Sequence, residues 1–181
     1  YPPGSTFKLI VGAAALEEGI IDENSSVLSS GGIRIGEWFF PDWLPQGHGR
    51  VDIRQAIVWS VNTFFYTIGG GYQETAGLGL NSITLYGKRF NLSNQTGIDL
   101  PQEASGFLPT DEWKRTEKGE PWYLGDTYHL AIGQGDLLVT PLQVALWTSF
   151  FANGGTLYRP HILMQESRVI DKNFIFNSII Y

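Results

Sequence analysis

The sequence predicts a predominantly α-helical domain with few and short strands, and three observations carry that expectation. Phe7, Ile10, Val11 and Ala14 recur at helical spacing, with Gly19 closing the run. Thr140-Pro141-Leu142-Gln143 carries a threonine N-cap, a proline at the first helical position and a glutamine that completes a capping box. Strand candidates amount to a short run around Ile33 to Ile35, an extended stretch at Tyr158 to Ile162 and two β-like runs toward Tyr181. With 181 residues, 43 % hydrophobic and 14 % aromatic, the chain can bury the core of one domain.

In chain order, Tyr1-Pro2-Pro3-Gly4-Ser5-Thr6-Phe7-Lys8 places Ser5 at or just inside the first helix start. Lys8 follows one turn along on the same face, so its amine can come within reach of the Ser5 hydroxyl. Ile20 to Ser30 reads as a polar connection. Trp38, Phe39, Phe40 and Trp43, beside Pro41 and Pro45, read as an aromatic loop packed on the body in preference to lining a groove. Gln46 to Arg50 is a turn, and Asp52 caps a helix through Ile53, Ala56 and Ile57. That helix runs into Ser60-Val61-Asn62, and a second apolar run begins at Thr63 and ends at Gly69-Gly70-Gly71, so the two polar side chains are pinned between helices.

A third helix is predicted over Asn81 to Phe90, followed by turns and extended backbone from Thr96 to Pro109. A short helix starts at Thr110 with Trp113 inward, and Gly119 to Tyr128 is polar and aromatic without a clear period. Ile132-Gly133-Gln134-Gly135 is a glycine-rich turn, not a phosphate cradle, because no strand and helix flank it in the required way. The helix from Thr140 runs to about Asn153, with Leu142, Ala145, Leu146, Ser149 and Phe150 inward, and Gly154-Gly155 stops it.

A net charge of −6 without a basic cluster argues against nucleic acid and against an anionic membrane surface. Cysteine is absent, which excludes disulfides and thiolate metal sites. No apolar run of ~18 residues is present. A serine beside a frayed end at Tyr1 would lack support, so the chain reads as an excerpt of a longer protein, truncated at both ends.

Ser-x-x-Lys alone is equally a helix cap followed by a solvated lysine, and Ser60-Val61-Asn62 alone is a capped helix-to-helix turn. Chemistry enters when they are combined. A serine becomes a nucleophile when a base takes its proton, and a desolvated lysine with a lowered pKa can do so. Ser-x-x-Lys with a second Ser-x-Asn element belongs to the signature of penicillin-binding proteins and serine β-lactamases.

Six segments in order extend this: YPPGSTFK, the GHG turn before VDIRQAI, SVNTFFY, TGIDLPQEASG with LPTDEWK, WYLGDTYHLAIGQGDLLVTPLQVA, and ANGGTLYRPHI. Together they resemble the transpeptidase domain of class B penicillin-binding proteins of the elongation type. The resemblance implies that residues 1–181 are a predominantly α-helical, partial piece of the α/β penicillin-binding (serine β-lactamase-like) fold, with most of its central antiparallel sheet outside the chain. It implies serine D,D-transpeptidation that cross-links peptidoglycan. Ser5 would be the nucleophile, Lys8 its base, Ser60 a proton relay to the leaving amine, and Asn62 the group that orients the substrate amide and holds Lys8. The implied ligands are the D-Ala-D-Ala end of a stem peptide and β-lactams, without a cofactor. The implied partners are a membrane glycan polymerase and elongation scaffold proteins, at the outer face of the bacterial cytoplasmic membrane.

The family's third motif, Lys-Thr-Gly, is missing: none of Lys8, Lys88, Lys114, Lys118 or Lys172 precedes Thr-Gly or Ser-Gly, and Thr96-Gly97 follows Gln95. The chain alone is therefore expected to be inactive or nearly so. A β-lactam sensor domain, a β-lactamase and a non-catalytic scaffold of the same fold are the competing readings; the lactamase needs a glutamate-bearing loop that no segment matches, with Glu103 and Glu112 left open. Some relatives bind zinc between the first two motifs. Here Asp42 and His48 are available, Ser29-Ser30 offer no carboxylate, and two ligands do not make a structural zinc site, so no metal is expected. His129 and His161 are read as structural.

Overall fold

In the computed structural model, which describes residues 1–163 and 168–171, the architecture centres on one helix that water does not reach. This is α3, Asn62–Gly70, in which every residue from Thr63 to Gly69 is buried. A helix apolar on all sides belongs in an interior, and its neighbours are arranged to cover it. They are α1 (Lys8–Glu17), entered through a 3-10 turn at Gly4–Phe7, then α2 (Ile53–Val58), α4 (Gly79–Arg89) and α6 (Leu124–Ala131). Helices α5 (Asp111–Lys118) and α7 (Pro141–Ala152) complete the helical body. Phe7, Ile10, Phe64, Phe65, Ile68, Tyr86 and Trp147 form one continuous core, each contributing about 1.5–3 kcal/mol through its burial.

Sheet is sparse. Strand β1 (Ser26–Ser29) pairs with β4 (Gly49–Asp52), β2 (Gly32–Ile35) with β3 (Trp38–Pro41), and β5 (Leu157–Arg159) with β6 (Arg168–Asp171), each pair antiparallel. Among the described residues these two-stranded pairs do not join into a larger sheet.

The predicted helix starts hold where local chemistry sets them. Asp52 caps α2 and Thr140 caps α7, each closing a box with the residue three positions on. Other expectations are corrected. The polar connection from Ile20 contains β1, and Gly49 and Arg50 belong to β4, because a four-residue strand has too few residues to show a period. The stretch from Gly119 contains the start of α6, whose carboxylate cap Asp126 accepts from Tyr123 N at 2.7 Å. On α7 the buried residues are Gln143, Leu146, Trp147 and Phe150, whereas Ala145 and Ser149 face solvent. That helix is apolar nearly all round, so periodicity could not fix its face. Gln143 fixes it by donating to Asn94 O and Ser105 O.

The aromatic loop is corrected most strongly. Residues Trp38 to Pro41 are a strand, and Trp38 and Trp43 are 76 % and 59 % exposed. Of the three rings on that strand Phe40 turns onto the body, edge-on to Tyr66 and Tyr128, because a two-stranded hairpin has just one face to bury. Of the β-like runs expected toward Tyr181, residues 168–171 pair with β5, and the remainder lies outside the described residues.

Helices α3 and α6 approach through glycine. A Cβ on Gly69 would lie 2.4 Å from Ala131 Cβ, and one on Gly70 would lie 2.4 Å from Tyr128 Cε1. Ala131 Cβ has no torsion by which to move aside, so the backbones would have to part. Gly69→Ala is therefore expected to destabilise the chain by about 1–3 kcal/mol despite its better helix propensity. A lowered urea midpoint checks this; an unchanged midpoint contradicts the close packing.

Candidate active site

Ser5 is exposed on the 3-10 turn, and that turn is held from behind. Gly4 adopts φ +57° and donates its N–H to Gly133 O at 2.9 Å. Gly133 is itself left-handed, and a Cβ there would fall 2.1 Å from Gly4 O. The glycine-rich turn at Ile132 to Gly135 is thus the backstop of the Ser5 turn. Tyr1 is also held, exchanging backbone hydrogen bonds of 2.9 Å with Val139 in both directions.

Lys8 opens α1 and is 2 % exposed. A buried ammonium needs a partner for each of its three N–H donors. Nζ finds them at one place, the joint between α2 and α3: Asn62 Oδ1 at 2.6 Å, Ser60 O at 2.8 Å and Ser60 Oγ at 3.0 Å. The amine also lies 5.3 Å from the centroid of the Phe65 ring. Burial pushes its pKa from 10.5 down to about 8, and the Asp42 carboxylate opposes part of that fall.

The joint is shaped for this contact. Ser60 takes φ +54°, a left-handed conformation that costs a non-glycine residue roughly 1 kcal/mol or more. Val61 is fully buried and its N–H reaches back to Ala56 O, so Ser60 turns outward while Asn62 starts the next helix. Ser60 Oγ donates to Ser5 Oγ at 2.8 Å. Ser5, Ser60, Lys8 and Asn62 are therefore brought together, with one difference from expectation: Lys8 makes no direct hydrogen bond to Ser5, and the Ser60 hydroxyl bridges them.

Sequence reasoning missed the part played by Asp42. It is 5 % exposed and accepts from Asn62 N at 3.1 Å, Thr63 N at 2.9 Å, Thr63 Oγ1 at 2.8 Å, Trp43 N at 2.9 Å and Ser29 Oγ at 3.2 Å. Burial alone would raise its pKa, but the donated N–H and O–H groups outweigh that and hold it below the usual carboxylate value. Asp42 is the N-terminal cap of α3, delivered from 20 residues upstream. A cap arriving from so far away has no local spacing by which to be read.

His48 stacks on Trp59, 6.1 Å between centroids, and meets Trp43 edge-on at 5.0 Å. Among the described residues no three His, Asp or Glu side chains converge as metal ligands. A cleft of about 500 Å³ opens beside Asn62, walled by Trp43, Tyr66, His129 and Gln134. His129 is thus a cleft residue that also lies edge-on to Phe40.

The family model described as penicillin binding protein transpeptidase domain matches residues 1–180. The peptidoglycan D,D-transpeptidase MrdA of Escherichia coli (strain K12) is 36 % identical over 169 residues, covering 92 % of this chain and 26 % of the relative. The chain thus spans about a quarter of the length of that curated relative. Among solved structures, the penicillin-binding protein PBP2 of Helicobacter pylori in complex with MreC superposes with a TM-score of 0.84 at 35 % identity, over 93 % of this chain and 30 % of that one. A peptidoglycan synthase complex solved for its coordination of polymerization and crosslinking gives a TM-score of 0.80 at 32 % identity, over 93 % of this chain and 29 % of that one.

The buried amine has a measurable thermodynamic signature. The unfolded chain holds the Lys8 proton up to about pH 10.5, and the folded chain releases it at about 8. Stability should therefore rise with pH between those values, by roughly 3 kcal/mol at most, because the unfolded state binds more protons there. In Lys8→Met this rise should vanish. Denaturant titrations at pH 7.5 and 10 on both proteins check it; parallel pH curves would contradict a desolvated amine.

Proposed function

The chain belongs to the penicillin-binding protein transpeptidase domain family, as a predominantly helical part of that fold, and on that premise we propose that it carries the nucleophile centre of a peptidoglycan D,D-transpeptidase. One observation supports the reading above all: the continuous line from Ser5 Oγ through Ser60 Oγ to Lys8 Nζ, with steps of 2.8 and 3.0 Å, ending at Asn62 Oδ1.

In this reading Lys8 is neutral when it acts. Its lone pair then faces the Ser60 hydroxyl, and both hydroxyl protons can rotate so that Ser5 donates to Ser60 and Ser60 to Lys8. Ser5 Oγ attacks the carbonyl carbon of the penultimate D-alanine while its proton moves along that line to Nζ. Base catalysis of this kind contributes ~10²–10⁴ in rate. The Ser5 N–H, in the first turn of its helix, is free to face the developing oxyanion. Collapse breaks the C–N bond, and the ammonium returns its proton through Ser60 to the leaving amine of the terminal D-alanine. The Asn62 side-chain amide orients the substrate amide while its oxygen holds Lys8. The amine of a second stem peptide then attacks the ester, forming the cross-link and restoring Ser5. A β-lactam enters at the first step, and its opened ring stays on Ser5 as the adduct.

The 181 residues contain no Lys-Thr-Gly or Lys-Ser-Gly. In the family resemblance that strand supplies the second oxyanion donor, whose loss costs ~10²–10³ in rate. We read residues 1–181 as a partial transpeptidase domain that reacts slowly by itself. A sensor domain would share the acylation step and differ in lacking transfer to an acceptor. The relatives solved with MreC and within a peptidoglycan synthase complex support a parent protein that works beside a scaffold and a glycan polymerase, outside the cytoplasmic membrane. Among the described residues no helix is long and apolar enough to cross a membrane.

Incubation with benzylpenicillin followed by intact mass measurement should show a penicilloyl adduct that is absent from Ser5→Ala and Lys8→Ala. An adduct retained in Ser5→Ala overturns the assignment, and no adduct on a folded chain assigns acylation to the domain completed by its Lys-Thr-Gly strand. The acylation rate should rise with pH through a midpoint of about 8, where Lys8 becomes neutral. Turnover of a D-Ala-D-Ala peptide by the chain at the rate of a complete transpeptidase would contradict the expected slowness.

A further inference from the structure

Asp42 is the sole buried carboxylate among the described residues, and the mechanism above makes no use of it. Five hydrogen bonds hold it, and two of its partners are the backbone N–H groups of Asn62 and Thr63, the first residues of α3. The consequence passes straight to the site. Asn62 Oδ1 is the shortest contact of the Lys8 amine, so the anchor of Asn62 is also the anchor of Nζ. We propose that Asp42 is the positioning residue of the nucleophile centre: by capping α3 it fixes Asn62, and by its charge it sets how readily Lys8 takes up the proton of Ser5. This rests on the reading of Lys8 as the base.

Two opposing effects meet at the amine. Burial among Phe65 and the α2–α3 joint disfavours the charged form, whereas the fixed negative charge of Asp42 favours it. Unopposed burial would push the pKa of the amine lower still and make it a weaker base toward Ser5. A base performs best with a pKa near the working pH, and the carboxylate opposes the fall that burial imposes on Lys8. Other titratable groups share this corner: His48 from the β3–β4 loop, Tyr66 from α3, and His129 from α6 on the cleft wall. The acidic residue on α1 itself, Glu17, is ~13 Å along the helix from Lys8. Arg54 on α2 is exposed and paired with Glu23. Asp42 is thus the charge that Lys8 feels most, and it reaches the amine without touching it.

The test compares Asp42→Asn, which keeps a side-chain oxygen for the α3 cap but loses the charge, with Thr63→Val, which loosens the cap and keeps the charge. The Lys8 amine is titrated by NMR of its labelled Cε, and the rate of penicilloyl formation is followed against pH. In Asp42→Asn the Lys8 midpoint and the acidic limb of acylation should both move to lower pH, and the plateau rate should fall roughly ten- to hundredfold as Lys8 becomes a weaker base and the cap on Asn62 is reduced to neutral hydrogen bonds. In Thr63→Val both midpoints should stay in place. Coupling between two sites is reciprocal, so Lys8→Met should raise the midpoint of the Asp42 carboxyl, and that reading stands even if Asp42→Asn does not fold. An unmoved Lys8 midpoint in Asp42→Asn, or an unmoved Asp42 midpoint in Lys8→Met, overturns the proposal. If Lys8→Ala still forms the adduct, the assignment of Lys8 as base fails instead, while the coupling between the two midpoints can still be measured.

Discussion

A charged amine that leaves water must have every donor met, and much of this chain can be understood as the means of meeting that demand for Lys8. Its three acceptors come from two residues on either side of one buried valine, at the junction of two helices. For them to coincide, α2 must end at Val58, Ser60 must turn left-handed, and α3 must begin at Asn62. The apolar sheath of α3 then supplies the rigidity. Phe64, Phe65 and Ile68 are fully buried, so the start of the helix cannot drift without opening the core. Stability and chemistry draw on the same packing here.

Glycines do the corresponding work on the other side of Ser5. The Gly4–Gly133 contact brings two backbones together more closely than any side chain allows, and the α3–α6 contact at Gly69 and Gly70 carries the Gly133 turn into place. The Ser5 turn is therefore referenced to α3 twice, once through Lys8 and once through α6. Two supports therefore set the separation of Ser5 from Ser60.

What could be read in the sequence divides along the range of the interaction. Thr140 and Asp52 announce their helices because a cap and its N–H lie three residues apart. Ser5 and Lys8 share a helix face by spacing, and Ser60 and Asn62 stand between two apolar runs. The α7 face is not legible in the sequence because the helix is apolar almost all round and is oriented by Gln143 reaching Asn94 and Ser105, some 40 to 50 positions away. Asp42 looked like half of a metal site for a related reason: a carboxylate's partners 20 residues off leave no mark on its own neighbourhood. The exposed Trp38 and Trp43 follow the same logic, since hydrophobicity says that a ring prefers burial but not whether a two-stranded hairpin has a second face to offer.

The left-handed backbone at Ser60 also bears on how the site can change by mutation. Threonine would bring the same hydroxyl, but a β-branched residue is a poor occupant of that region, whereas asparagine, aspartate and glycine tolerate it without supplying an equivalent hydroxyl. Chemical equivalence and conformational tolerance thus select different residues, and serine is where they overlap. Substitution can vary the cleft walls around this position more freely than the position itself, because its identity is constrained by the turn of the main chain.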